Sequence, residues 1–264
     1  MMEDTMFKEE RQNAILKIVE TEGRITTSLI QRKFGVGYGT ARNDLDEMAG
    51  KGLVRRTHAG AVPAGVPSVG YSPDIHPLTS RERCAEIREN YRKIAGKAAG
   101  MIGEEEVVFV TSASMGWLLA REIPESLRCT VVTNSSAVAE ELRTKKNIRV
   151  FVTGGEMEEN GNFYDDFTLS ALKRLRFDKA FLTSAALSAG FGMSVQNGRN
   201  VTLTRLVIAQ AREVVALYPA EKIGVESVEQ ICPAEEISTL VTEAEAPAAE
   251  LEALGERGIR VLTV

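Results

Sequence analysis

Arg42 and Asn43 stand side by side in a segment where Ala41, Leu45 and Met48 recur at the helical period. A guanidinium can make two hydrogen bonds to guanine O6 and N7, and a carboxamide can do the same with adenine. Each such pair is worth about 1–3 kcal/mol of discrimination. On that helix Gly39 and Asn43 project away from Ala41, Leu45 and Met48, with Arg42 flanking them. The chemistry implied is the reading of base edges in a major groove. Tyr38 and Thr40, nearer the helix start, can reach a phosphate or a thymine methyl.

Such side chains need a frame, and the preceding residues supply one. Ile15, Leu16 and Val19 fall at helical spacing, and Gly23 closes that first helix. Thr26 or Thr27 can cap a second helix whose Leu29, Ile30 and Phe34 face inward; Gly35 gives the tight turn, and Val36 begins the third element. Two glycines, Gly37 and Gly39, flank Tyr38 at the start of that element. They fit either simple flexibility or a close approach of helix amides to a phosphate. Leu53-Val54-Arg55-Arg56-Thr57-His58 then reads as a strand-forming wing whose cations meet the sugar-phosphate backbone. The layout predicts a winged helix-turn-helix over 1–62, with Thr26, Tyr38, Gly39, Thr40, Arg42, Asn43, Arg55, Arg56 and His58 as the DNA-binding set. The Gly35–Gly39 run GVGYG follows a helix rather than a strand, so it is not a nucleotide-binding glycine loop.

The charge distribution agrees with this reading. The net charge of −5 excludes a protein that coats nucleic acid indiscriminately, so any DNA contact must come from a local patch. Arg24, Arg32, Lys33, Arg42, Lys51, Arg55 and Arg56 outnumber Asp44, Asp46 and Glu47 in that region. Cys84, Cys129 and Cys232 are widely spaced, with only His58 and His76 as imidazoles, which supports neither a disulfide framework nor a metal site. No cofactor is expected. The opening MMEDTMFKEERQ lacks an apolar signal core and no apolar run reaches membrane-spanning length, so a cytoplasmic location without membrane contact is expected.

At 264 residues, 44% of them hydrophobic, the chain has far more sequence than a DNA reader needs, and two domains are expected. Gly and Pro residues over 60–77 interrupt both periodicities, which places a linker at 63–77 and a second domain at 78–264. There, apolar runs at 107–110, 130–133, 148–152, 180–183, 214–217, 239–241 and 259–262 read as buried strands. They alternate with helix patterns at 117–123, 137–143, 169–175, 203–212 and 248–254, so an α/β fold with a mainly parallel sheet is predicted. Ligands of such sheets sit beyond the carboxyl ends of the strands, where helix N-termini offer free amides. The turns at those ends carry Thr111, Ser112, Ala113 and Ser114, then Asn134 and Ser135, then Gly154 and Gly155, then Ser184. Arg205 or Lys222 can add the charge for an anion. Each turn taken singly is also an ordinary capped strand-to-helix connection; their convergence at one sheet edge is what points to a ligand.

The residues also resemble a known family. Ile25 to Phe34, then Val36, Thr40, Ala41, Arg42, Asp44 and Leu45, then Gly52-Leu53-Val54-Arg55-Arg56 and His58-Ala59-Gly60-Ala61, are similar to the DeoR family of bacterial transcriptional regulators. The likeness continues through Lys93-Ile94-Ala95 with Ala98-Ala99, Val131-Val132-Thr133-Asn134, Gly154-Gly155, Phe177-Asp178-Lys179-Ala180-Phe181 and Glu221-Lys222. It implies an effector domain that looks like the sugar-phosphate isomerase fold and takes a phosphorylated sugar or related metabolite, which alters DNA affinity. The chain departs from the pattern in places. Asn43 replaces a second arginine, and Thr111-Ser112-Ala113-Ser114-Met115 replaces an Asp-Ser-Gly-Thr-Thr loop. Asn200 and Thr204 stand where a glutamate and a lysine are usual, although Arg205 remains, and Pro219 stands near the place of an aspartate.

The expectation is therefore a repressor of a metabolic operon that binds double-stranded operator DNA as a homo-dimer or homo-tetramer and answers to a small anionic metabolite. Two alternatives stand beside it. One is a sugar-phosphate isomerase using Asp165, Asp166, Lys179 and Lys222, although the first loop lacks a carboxylate. The other is a large domain that only oligomerises. The acidic stretch Glu156, Glu158, Glu159, Asp165 and Asp166 reads as a solvated loop, without the spacing of a calcium site.

Overall fold

In the computed structural model of the chain, residues 8–22, 25–57, 60–64, 68–69, 89–196 and 198–264 are described. The chain divides into two compact units, Met1–Ser72 and Pro73–Val264.

The first unit contains α1 (Lys8–Glu22), β1 (Ile25–Thr26), α2 (Thr27–Phe34), α3 (Tyr38–Gly50), β2 (Val54–Thr57) and β3 (Gly60–Pro63). The strands form an antiparallel sheet in the order β1-β3-β2. Ile15, Val19, Ile30, Leu45, Met48 and Val54 pack into one core, so the apolar stripe of each helix and the first residue of the wing share the same interior. Gly35, at φ +65, makes the turn between α2 and α3. At the other end of α3, the amides of Gly52 and Leu53 donate back to the carbonyls of Ala49 and Met48 at 2.9 and 3.0 Å. Gly52 adopts φ +69, the left-handed conformation this helix stop requires. The third helix begins at Tyr38, two residues later than Val36, because Gly37 is still extended at its N-cap.

One feature of this unit runs against its charge count. Asp44 is buried on α3, where it accepts from Nε of Arg11 at 2.6 Å and from a second guanidinium nitrogen at 3.2 Å. Gln12 donates to the same carboxylate at 3.4 Å. Asp44 is thus an internal tie between α1 and α3 rather than an anion of the outer patch.

The second unit is built on a seven-stranded parallel sheet of β4 (Val107–Val110), β5 (Cys129–Thr133), β6 (Ile148–Val152), β7 (Phe177–Leu182), β10 (Ala211–Leu217), β12 (Thr239–Thr242) and β13 (Arg260–Thr263). Its order is β13-β12-β10-β7-β4-β5-β6. Chain direction through the sheet reverses between β4 and β7, which leaves a topological switch point there. Both faces are covered. Ile94 of α4 (Glu89–Ala99), Leu119 of α5 (Ser114–Glu122) and Leu142 of α6 (Ser136–Leu142) belong to one cluster. Leu172 of α7 (Asp166–Leu172), Val207 of α8 (Val201–Gln210) and Leu254 of α9 (Ala248–Glu256) belong to the other. This explains why the inner strands read as near-continuous apolar runs, while the edge strand β6 carries Arg149 within it and leaves Phe151 and Val152 exposed.

The amino ends of the central strands are pinned by charge. Lys179 pairs with Glu106, and Asp178 accepts from the Val107 amide at 2.9 Å. Lys145 is buried and donates to the carbonyls of Ala120, Arg121 and Ile123 at 2.7–2.8 Å, so it closes the carboxyl end of α5. Burial lowers the pKa of its ammonium.

The largest differences from the sequence reading are these. The helix α4 is not among the predicted segments, its apolar positions being mostly alanine. The predicted helix over 203–212 ends at Gln210, and β10 starts at once with Ala211. A small antiparallel sheet of β8 (Ala186–Ser188), β9 (Gly192–Val195) and β11 (Glu229–Cys232) has no counterpart in that reading, because strands of three or four residues interrupted by Ser, Gly, Glu or Gln carry no apolar run.

Candidate nucleic-acid interface and ligand-facing turns

The outer face of α3 follows from its inner one. With Ala41, Leu45 and Met48 buried, Tyr38, Gly39, Thr40, Arg42 and Asn43 are all exposed, Tyr38 at 60%. Nε of Arg42 lies 3.7 Å from the Asp46 carboxylate one turn on. The first helical bond is that of the Ala41 amide to the Gly37 carbonyl at 3.0 Å, and no side chain caps the helix. The first-turn amides therefore have no intrahelical partners. A Cβ placed on Gly37 or Gly39 would meet nothing within 4 Å, so the fold does not itself demand glycine there.

Arg32 and Lys33, at the end of α2, are exposed as well. Arg55 and Arg56 lie on β2, paired through the backbone with Val62 and Ala61 of β3, and Thr26 lies on β1 opposite Gly60. His58 falls outside the described residues. Each acidic side chain counted in the patch has a cationic partner. Asp44 holds Arg11, Asp46 faces Arg42, and Glu47 pairs with Lys8 and, at 3.1 Å, with Lys51. The hydrogen bonds from Lys8 first, then Lys51, draw the Glu47 carboxyl down to about 2.

In the second unit, the turn after β4 sits at the switch point, its Thr111 amide donating to the Phe181 carbonyl of β7 at 3.1 Å. Helix α5 packs back so tightly that a Cβ on Gly116 would lie 1.8 Å from the Thr111 oxygen. Ala113 is the N-cap of α5 and offers no side-chain oxygen. The Ser112 hydroxyl lies 3.0 Å from the Tyr164 hydroxyl, to which Asn162 donates at 3.3 Å. Asn134, after β5, is buried. Its amide group donates to the Phe163 carbonyl at 3.0 Å, and its own carbonyl accepts from the Phe163 amide at 2.9 Å. The segment from Gly161 to Tyr164 thus crosses the ends of β4 and β5. Neither Asn162 nor Tyr164 stood out in the sequence, where nothing distinguishes a loop tyrosine that folds over a neighbouring turn from one that faces water.

Several other candidate positions are occupied by the protein's own groups. Ser135 is fully buried and caps α6 at the Val138 amide, 3.5 Å away. The turn of Gly154 and Gly155 wraps the Asp165 carboxylate, which accepts from the amides of Glu156 at 2.8 Å and Thr168 at 2.9 Å. A Cβ on Gly155, at φ +113, would lie 2.2 Å from an Asp165 oxygen. The Thr168 hydroxyl donates to the Gly154 carbonyl at 2.7 Å. The Asp-x-x-Thr capping pattern at 165–168 is the sequence signal for this arrangement.

Arg205 donates to the carbonyls of Ile231 and Gln230 at 2.7 and 2.6 Å, which anchors α8 to β11. The Thr204 hydroxyl is turned onto the Asn200 carbonyl at 2.9 Å. Ser184, beyond β7, shares a hydrogen bond with the buried Tyr218, and Lys222 donates to the Ser184 carbonyl at 3.3 Å. Burial raises the Tyr218 pKa above its ordinary value. Ser112, Ser114, Ser184 and Lys222 therefore stand on adjoining strand ends. Lys179 and its Glu106 partner lie toward the opposite, amino end, which separates the residues an isomerase would have to combine.

The thiols of Cys129 and Cys232 are buried, and burial pushes them up to about 11 and about 12, which leaves both inert at neutral pH. Among the described residues no group of His, Cys, Asp and Glu can hold a metal ion, and no helix is long and apolar enough to cross a membrane.

The sequence profile of the DeoR-like helix-turn-helix domain matches residues 11–64, and that of the DeoR C terminal sensor domain matches residues 87–244. The HTH-type transcriptional regulator GlpR of Haloferax volcanii is 31% identical over 227 residues, covering 85% of this chain and 86% of its own. The glycerol-3-phosphate regulon repressor of Escherichia coli is 26% identical over 220 residues, covering 83% and 84%. Among solved structures, ribose 5-phosphate isomerase A from Methanocaldococcus jannaschii aligns over 51% of this chain and 53% of its own, at 17% identity and a TM-score of 0.38.

Proposed function

The chain belongs to the DeoR family, and from that premise we propose that it represses a metabolic operon in the cytoplasm and is released or retained by a phosphorylated sugar or a related small anion. It is a DNA-binding transcriptional regulator and not an enzyme. The head, residues 1–62, reads the operator; a linker at 63–77 follows; residues 78–264 hold the effector and the contacts between copies. The observation that carries the DNA reading is the outward set Tyr38, Thr40, Arg42 and Asn43 on a helix whose other side is sealed into a core.

Arg42 and Asn43 discriminate bases, while Arg55, Arg56 and His58 of the wing, with Thr26, hold the backbone. Two copies act together, since paired heads of this kind read half-sites about one helical turn apart. Ser112, Ser114, Ser184 and Lys222 take the anion. The turn of Gly154 and Gly155 stands outside that set, because a carboxylate of the chain already fills it.

The experiment is equilibrium binding of the full chain to its own upstream DNA and to random duplex at several salt concentrations. Arg42→Ala should cost about 1–3 kcal/mol on the specific site only, whereas Arg55→Ala should weaken both and reduce the salt slope by about one. Equal losses on both DNAs for the two variants would overturn these roles. Titrating glycerol 3-phosphate and hexose phosphates into the specific complex tests the effector, and an unchanged affinity with every one would sink that part.

A further inference from the structure

The edge strand Ile148–Val152 of the parallel sheet has β5 on one side and, among the described residues, no strand on the other. A bare edge is a template for another chain, and proteins that must stay apart blunt it with interspersed charge, bulges or proline. Here the charges are segregated instead. Just before the strand comes Lys146 and near its start Arg149, both exposed; after it come Glu156 and, further along the chain, Glu159 and Asp166, all exposed.

Exposed apolar groups lie on the strand and in the segments that follow it. Phe151 and Val152 are exposed at 39% and 43%, Met157 at 60% and Phe167 at 77%. Phe167 lies between Asp165 and Thr168, which both bond to the turn of Gly154 to Glu156 directly after Val152. Phe167 is thereby held beside the carboxyl end of the edge strand. The Arg149 guanidinium lies 4.7 Å from the Phe151 ring centroid.

We propose that this edge is the seat of a second copy of the chain, its strand running antiparallel to the first so that two seven-stranded sheets join into one. Charge complementarity selects that occupant and that direction. A two-fold axis near Val150 brings the basic end of each strand to the acidic end of the other, and sets each Arg149 against the other copy's Phe151. A parallel arrangement would oppose like charges instead. Strand pairing satisfies the open backbone groups, and Phe151 and Val152 are covered with Phe167 beside them. The inference deepens the two-copy reading given above, on which it rests, by naming the surface that joins the copies.

Sedimentation equilibrium on the full chain tests it with two charge-reversal variants, Lys146→Glu with Arg149→Glu, and Glu156→Lys with Glu159→Lys. The hydrogen bonds that hold the turn run through Asp165, Thr168 and backbone groups, not through these four side chains. Unchanged circular dichroism and melting would show that both variants fold. The first variant is acidic at both ends of the edge, and the second is basic at its start and has lost two of the carboxylates that follow it, so the self-association of each should weaken by about tenfold or more. Mixing the two restores opposite signs at both ends, and the mixture should associate more tightly than either variant does alone. Phe151→Glu should weaken association with either partner. If the unaltered chain associates and the variants match it, the edge is not the joint, although the two-copy reading stands. Weakened variants that fail to rescue one another would overturn the antiparallel arrangement. An unaltered chain that sediments as a single copy at every concentration would overturn both this inference and the two-copy reading.

Discussion

Helix Tyr38–Gly50 and the turns after the parallel strands both carry polar residues at the start of a helix, yet those residues are committed in opposite ways. On the head, Tyr38, Thr40, Arg42 and Asn43 stand outside the packing, and a Cβ on the glycines among them would meet nothing within 4 Å. In the large unit, Ser135 caps a helix, Gly155 wraps a carboxylate and Arg205 anchors a strand. A surface that reads a large polymer can be added to a helix whose other face already folds. A concave ligand site is made of the turns themselves, so most of its polar groups also hold the backbone. Substitutions should therefore separate binding from stability in the head and fail to separate them in the turns.

The largest exception should be Asp44, which sits on the reading helix but belongs to the fold. Asp44→Ala leaves the buried Arg11 guanidinium without the carboxylate that takes two of its hydrogen bonds, at a cost of about 3–5 kcal/mol. A domain of this size has a total stability of only about 5 kcal/mol. Hydrogen exchange on the full chain should show amides of 8–63 losing protection while those of β4, β5 and β7 keep theirs, with DNA binding lost. Retained protection in the head would mean that the pair is not what joins α1 to α3.

A pair of glycines tests the comparison more finely. Gly155→Ala puts a Cβ at φ +113 against Asp165 and should destabilise the large unit by about 1–3 kcal/mol, measured as a lower urea midpoint. Gly39→Ala adds a methyl to open space in a helix and should stabilise the head by up to about 1 kcal/mol while lowering operator affinity. If Gly39→Ala binds DNA as the unaltered chain does, close approach of the helix start to the duplex is not why glycine stands there.

The same contrast explains what the sequence made legible. The head could be read because helical period, the Gly35 turn and the outward Arg42 and Asn43 are local features within a few residues of one another. The parallel strands announced themselves as apolar runs because both faces of the sheet are covered. What stayed hidden was decided across the chain. The Arg11–Asp44 tie spans 33 residues, and the contact of Ser112 with Tyr164 spans 52. The glycine pair after β6 signals a tight turn around an anion equally well whether the anion is a ligand or Asp165. Only the Asp-x-x-Thr cap further along distinguishes the two, and that requires knowing where the next helix begins. Helix α4 and the small antiparallel sheet were missed because alanine and three-residue strands give weak periodicity.

The smallest expected effect compares one carboxylate from each unit. Glu47 is held low, to about 2, by hydrogen bonds from Lys8 and Lys51; Asp165 is held below its ordinary value by the amides of Thr168 and Glu156. Both groups have a depressed folded pKa, so the stability each contributes is present above its unfolded pKa and is lost as pH falls through the folded one. For Glu47 that window runs from the ordinary value of 4.5 down to about 2. The partners differ in kind. Lysine side chains at the surface are screened by salt and free to swing away, whereas amides fixed in a capped turn are neither. Carboxyl resonances followed by NMR in low salt should give a Glu47 midpoint near 2 that climbs toward 4.5 at about 1 M salt, while the Asp165 midpoint hardly moves. Lys8→Met should raise the Glu47 midpoint at low salt in the same direction. A Glu47 midpoint indifferent to salt and to Lys8 would show that the outer charges of the head are as firmly committed as the turns of the large unit, and the distinction between the two regions would then rest on Tyr38, Arg42 and Asn43 alone.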